Sequence, residues 1–172
     1  MPGVADSPLA HPEEIRSLLL FRLSRVLSLG GSLVTRLCEG RFGITRREWM
    51  VIALLAPQAS LTWTELVARA ELDKARLSRA VTSLANKRLV EKRRGASRRL
   101  IVTLTEAGAA LHAELFPLTS QINAKLLQDL DANQLAVLDE ALQVIHKRAE
   151  RLSMDIEVPK ALRRLGARAR PR

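Results

Sequence analysis

The chain holds a single cysteine, Cys38, no tyrosine, and aromatic residues at only 3% of its 172 positions. One cysteine excludes an intrachain disulfide, so a reducing, cytoplasmic setting is the simplest expectation. The shortage of rings means that the core must be built from Leu, Val, Ile and Ala, within a hydrophobic fraction of 47%. In long periodic runs those residues favour an α-rich fold. Long apolar stretches are also missing. "LLLF" at 18–21 stops at Arg22, so no transmembrane helix and no membrane partner is expected. The first residues carry no basic-then-apolar leader. His11, His112 and His146 are scattered, and there is neither a Gly-rich phosphate loop nor a nucleophile elbow. No catalytic, metal or cofactor site is expected, and the chain does not read as an enzyme.

What is present is positive charge, unevenly placed. Residues 74–99 contain ten Lys/Arg and one Glu, and residues 160–172 contain six Lys/Arg and no acid, which leaves −5 for the remainder of a +10 chain. A mildly acidic body with two cationic pieces points to a polyanionic partner. The plain alternative, a solubilising surface, does not account for so dense a middle cluster.

Local signals divide the chain into helices and a hairpin. Pro12, followed by Glu13 and Glu14, suits a helix start, and a first helix is expected over 12–40 with Leu19, Leu23, Val26, Leu33, Val34 and Leu37 on one face. Gly30 and Gly31 lie inside it as a potential kink. "TRRE" at 45–48 and "TWTE" at 62–65 are capping boxes, each placing a Thr oxygen on an orphan amide and a Glu three residues on. Asp73 caps a further helix, "KARLSRAVTSLANK", whose Leu77, Val81 and Leu84 form a buried stripe. The pair 62–70 and 74–87 has helix-turn-helix spacing. Its second member carries Lys74, Arg76 and Arg79.

"LVEKRR" and "RLIVTLT" follow, separated by a glycine-centred turn. The alternation of Leu100, Val102 and Leu104 against Arg99, Ile101 and Thr103 marks a half-buried strand, hence a hairpin. Thr105 should cap a helix over 106–129 that Pro117 is expected to kink, and Asp131 with Gln134 should start a last helix. That helix bears Leu135, Leu138, Leu142, Ile145, Ala149 and Leu152, spaced 3, 4, 3, 4 and 3. This is a helix-packing seam, and a second chain is its expected cover.

From about residue 13 to 153 the sequence resembles the MarR-type transcription regulators. The resemblance is carried by "FGITRREWMVIALLA", "LTWTELVARAELDKARLSRAVTSLANKRLVEKR" and "SRRLIVTLTEAG". It implies a single mainly α domain over 1–172 with a small β-hairpin wing. A winged helix-turn-helix DNA-binding region would span 43–105, dimerisation helices 12–40 and 106–153, and a basic tail 157–172. It further implies a homodimer of triangular outline that binds double-stranded DNA at a near-palindromic operator, with each wing domain entering a major groove, on a bacterial or archaeal nucleoid in the cytoplasm. The recognition helix is 74–87, with outward positions Lys74, Ala75, Arg76, Ser78, Arg79 and Thr82. Arg76 or Arg79 suits a base contact, because a guanidinium grips guanine with two hydrogen bonds. Ser78 and Thr82 suit phosphate or the thymine methyl, and Thr62 and Thr64 suit phosphate. In the family an Asp braces the wing arginine. Counting from Thr105 puts that arginine at Arg98 and Ala96 in the place of the Asp, so the brace is missing. Arg98 or Arg99 can still enter a minor groove, and Arg93 and Arg94 add phosphate contacts.

Family members often release DNA when a small phenolic or carboxylic ligand binds between the dimer helices and the winged domain. Arg16 and Arg22 fall at the borders of the first helix's apolar face, and the resemblance places Trp49 beside the ligand cleft. Together they suggest a site for a small aromatic carboxylate or an acidic thioester, although Trp49 equally suits plain core. Cys38 lies at the end of the first helix, away from the family's peroxide-sensing position, and reads as a packed residue. The leading expectation, which rests on the resemblance, is a dimeric sequence-specific regulator, a repressor released by a small aromatic or carboxylate-type ligand. An architectural DNA binder without effector and a redox-responsive regulator through Cys38 are the alternatives.

Overall fold

The computed structural model describes residues 7–70, 72–95 and 99–155. The wing-tip residues 96–98, which include Ala96 and Arg98, and the basic tail 157–172 lie outside the described residues. Two compact units are distinguished, divided after Leu126. The first contains α1 (Leu19–Arg41), α2 (Arg46–Leu55), β1 (Ser60–Thr62), α3 (Trp63–Ala70), α4 (Lys74–Asn86), β2 (Val90–Arg94), β3 (Leu100–Leu104) and nearly all of α5 (Glu106–Leu127). The second is built on α6 (Ala132–Asp155). The fold is thus mainly α with one small sheet, as the sequence predicts.

The capping boxes set the helix starts. Thr45 and Glu48 close both bonds of theirs at α2. At α3 the Thr62 N–H and hydroxyl both donate to Glu65 Oε2, at 2.8 and 2.6 Å. Asp73 Oδ1 accepts the Arg76 N–H at 2.8 Å and starts α4. The Thr105 hydroxyl accepts the Gly108 N–H and donates to Arg88 O, tying the start of α5 to the end of α4. In the second unit, Asp131 and Gln134 form the expected reciprocal pair at 2.8 and 2.9 Å.

The helix ends are built by left-handed residues. Gly43, at φ +61, turns the chain between α1 and α2. After α4 the left-handed residue is Arg88, at φ 59. The Leu89 N–H bonds to Leu84 O and the Arg88 N–H to Ala85 O, both at 3.0 Å, which is a Schellman motif without its usual glycine. Gly108 has a different reason. A Cβ there would collide with Leu89 O, so only glycine lets α5 pack onto the chain entering β2.

One core fills the first unit. Ile52 and Leu55 from α2, Leu66 from α3, Leu77 and Leu84 from α4, Val102 from β3 and Leu115 from α5 are fully buried, and Cys38 closes it from α1. Truncating any of these leucines to Ala would cost about 2–5 kcal/mol.

Three features differ from the sequence reading. A third strand, β1, pairs antiparallel with β3, giving the order β1-β3-β2. Its three residues are too few to show a period in the sequence. The first helix begins at Leu19 rather than at Pro12, after a single 3-10 turn over Ile15–Ser17. Glu13, Glu14, Ile15 and Arg16 are all exposed, so no packing rewards extra helical turns there. Finally, α1 runs unbroken through Gly30 and Gly31, and α5 through Pro117. Gly30 is buried, with a Leu126 methyl 3.1 Å from where its Cβ would stand. Its small size therefore serves close packing against Leu126.

Candidate nucleic-acid interface and effector cavity

The face of α4 divides cleanly. Leu77, Ala80, Val81 and Leu84 are buried, whereas Lys74, Ala75, Arg76, Ser78, Arg79 and Thr82 are all exposed. The outward set read from the sequence is the solvent face of this helix. Two of its members are already engaged. Arg76 Nε pairs with Asp73 Oδ2 at 3.0 Å, and Lys92 Nζ on β2 donates to the Thr82 hydroxyl at 3.4 Å. Among the described residues Arg79 has no side-chain ion pair or hydrogen bond, which leaves its guanidinium free for an external acceptor.

The sheet carries the second cationic edge. Val90 is buried, but Glu91, Lys92, Arg93 and Arg94 all face solvent. β2 pairs with β3 from Val90 opposite Leu104 to Arg94 opposite Leu100. The Gly95 N–H then bonds to Arg99 O at 2.9 Å, so Arg99 sits exposed at the base of the tip. Thr64 is exposed at the start of α3, while the Thr62 hydroxyl is committed to Glu65. That hydroxyl and the Thr62 amide hold the Glu65 carboxyl below the usual carboxylate range.

α2 and the end of α4 are clasped by an ion pair between the half-exposed Lys87 and a buried carboxylate, Glu48, which the sequence reading missed. Glu48 is 2% exposed, and Lys87 Nζ donates to its Oε2 at 2.9 Å and to Gly43 O at 2.8 Å. Burial pushes the Glu48 carboxyl up, but the Ser83 hydroxyl beside it, the Thr45 amide and the Lys87 ammonium more than offset that and hold it down. Its Oε1 closes no hydrogen bond. A signal existed: Glu48, Val51, Ile52 and Leu55 share one helical stripe, so the spacing alone puts a carboxylate among core residues.

Trp49 lies beside this corner. It is 8% exposed and stacks on His112 at 5.5 Å between ring centroids, and His112 stacks on Phe116 at 5.3 Å. Desolvation holds the His112 pKa below the ordinary imidazole value. Trp49 also lines a cavity of about 690 Å³, whose charged walls are Glu39, Arg46 and Arg47, with Thr35, Met50 and Thr119 beside them. Arg46 lies against α1, where a Cβ on Gly31 would meet its guanidinium. Arg16 and Arg22 are elsewhere. Arg22 Nε donates to Arg16 O at 3.1 Å, both are exposed, and neither lines this cavity. The arginines that accompany Trp49 are Arg46 and Arg47, from the "TRRE" box itself. Cys38 is fully buried, and its thiol pKa is raised, first by desolvation and then by Glu39.

The MarR family model matches residues 42–99. The fold is that of a MarR-type transcription regulator. A MarR-family regulator from Silicibacter pomeroyi superposes with a TM-score of 0.67 at 20% identity, covering 86% of this chain and 95% of that one. One from Methanosarcina mazei Go1 gives 0.71 at 18% identity, covering 84% and 98%. Bordetella bronchiseptica BpsR, whose DNA binding is regulated by 6-hydroxynicotinic acid, gives 0.71 at 19% identity, covering 78% and 97%. No curated protein sequence matches the chain. No helix among the described residues is long and apolar enough to cross a membrane.

Proposed function

We propose that this MarR-type chain is a dimeric, sequence-specific DNA-binding transcription regulator, a repressor that a small aromatic carboxylate releases from its operator. The observation that carries the reading is the division of α4. Four small or apolar positions are buried and six outward positions are exposed, with Arg76 and Arg79 at the N-terminal end that meets base edges in a major groove. Arg93, Arg94 and Arg99 add a cationic wing for phosphate and minor groove, with Thr64 at the neighbouring helix start. Such a protein works in the cytoplasm, on the chromosome.

Dimerisation is supported by apolar surface that one chain leaves uncovered. On α1, Leu20, Val26 and Leu29 are 77, 62 and 72% exposed. On α6, Leu138, Val137, Leu142 and Val144 are exposed as well. Stripes of that extent mark an interaction surface. Ligand release is supported by the Trp49 cavity, whose ring wall and two arginines against the single Glu39 carboxylate fit an aromatic acid. BpsR, of similar fold, responds to such a molecule. Arg46 and Arg47 take the clamp role that the sequence assigns to Arg16 and Arg22.

Selection of bound duplexes from a random pool, followed by competition with scrambled duplex at physiological salt, tests the reading. A near-palindromic site with half-sites about one helical turn apart is expected. Equal affinity for all duplexes would favour an architectural binder instead. The buried, pKa-raised Cys38 gives a redox-responsive mechanism no support, since the thiolate is the reactive form.

A further inference from the structure

Two cavities meet at the start of α2. One, of about 200 Å³, lies between α2 and the recognition helix α4, and its walls include Arg47, Arg76, Arg79 and Ser83 over the buried Glu48. The other is the Trp49 cavity of about 690 Å³. Thr45 and Arg47 line both. Thr45 is held in place by its capping box. Arg47 is exposed, and among the described residues its side chain has no ion pair or hydrogen bond. One unengaged guanidinium therefore borders a notch on the DNA face and a cavity suited to an acid.

The chemistry of the notch favours an anion. Three guanidinia line it, and the one carboxylate beneath them is already neutralised by Lys87 at 2.9 Å. Arg76 is drawn toward Asp73, but Arg47 and Arg79 are not paired. A phosphate oxygen brought there by α4 would relieve like-charge crowding and satisfy planar donors that fit phosphate two at a time. The second cavity is lined by two guanidinia, Arg46 and Arg47, against one carboxylate, Glu39, beside the Trp49 ring, so its balance of charge also favours an anion.

We propose that Arg47 couples the two sites: it grips a backbone phosphate in the α2–α4 notch when DNA is bound, and an aromatic carboxylate in the Trp49 cavity when DNA is released. This rests on the DNA-binding reading above and names a residue and a route for its regulation. The same fork of donors cannot be spent on both anions, so each ligand weakens the other by the same factor. A charge-assisted bond of this kind makes that factor about tenfold or more.

The test uses the full chain and a duplex selected as above, with binding followed by anisotropy across a salt series. Sodium benzoate is the anionic probe, equal sodium chloride its ionic-strength control, and benzamide its neutral counterpart. In the wild type, benzoate should weaken duplex binding about tenfold, and neither control should. Arg47→Ala should weaken selected and scrambled duplexes alike, reduce the salt slope by about one, and abolish the benzoate effect. Arg47→Lys should keep the slope and lose most of the benzoate effect, because it retains the charge without the fork. Unchanged melting temperatures would exclude a folding defect at this exposed position. The proposal is overturned if benzoate leaves the wild type unaffected, if it weakens Arg47→Ala as much as wild type, or if Arg47→Ala keeps full affinity and slope. A wild type without salt-dependent duplex binding would instead defeat the DNA-binding reading itself.

Discussion

At the residue scale, several side chains stand in backbone conformations that their identity does not favour. Arg88 and Ala59 have φ values of 59 and 57, where a Cβ crowds the following carbonyl. Glycine at either position should raise stability by about 1 kcal/mol, read as a higher denaturation midpoint with an unchanged slope. Gly108 is the opposite case. Gly108→Ala would place a methyl against Leu89 O and should cost about 1–3 kcal/mol, with the loss seen in thermal melts. His112 gives a pH signature. Its folded pKa lies below the unfolded value of about 6.5, so folding resists protonation. Stability is therefore full above that value and falls as pH drops through the folded pKa. His112→Phe keeps a ring between Trp49 and Phe116 and should flatten this dependence; an equally steep profile in urea titrations at several pH values would assign it to another group.

At the element scale, the relation between α2 and α4 decides how the outward face of α4 is presented. Four buried side chains of α4 pack on the core, and Lys87 at its end clasps Glu48 of α2. Lys87→Met leaves the Glu48 carboxylate buried without its cation and should destabilise by about 1–3 kcal/mol. The matching loss would appear as pH-sensitive folding, because the depressed Glu48 pKa then moves up. Asp73→Ala removes the α4 cap and should cost about 1 kcal/mol. It also frees Arg76 from its 3.0 Å partner, so nonspecific duplex affinity should rise or hold even as the melting temperature falls. Much of this element was legible in advance. The Thr45, Thr62 and Asp73 caps and the 77, 81, 84 stripe are local patterns, and local patterns survive into the fold. The strand β1 was not legible, because Ser60–Thr62 acquires its identity only by pairing with Thr103, Val102 and Ile101 of β3.

At the scale of the whole molecule, the apolar faces of α1 and α6 and the basic face of α4 set the expected behaviour. Light scattering should give twice the chain mass, and replacement of Leu20 or Leu142 by Glu should shift it toward one chain. Loss of operator binding in the same variants would follow from losing the second half-site. Arg79→Ala should cost about 1–3 kcal/mol of preference at one base pair, whereas Arg93→Ala should weaken all duplexes evenly.

The sequence by itself determined the starts of α2, α3, α4, α5 and α6, the outward face of α4, the hairpin and its cationic strand. Each depends on neighbours within a few residues: a cap and its amide, a period of 3.6 or 2, a glycine at a turn. Only the tertiary structure decided which arginines accompany Trp49, that Lys87 pairs with the buried Glu48, and that Cys38 is sealed in the core. Arg16 was placed by angle on helical turns that the chain does not form and Arg22 stands exposed in the first turn of α1, whereas Arg46 and Arg47 reach the cavity because α2 packs across α1. Contacts between residues far apart in sequence depend on how elements pack, and no local period encodes that.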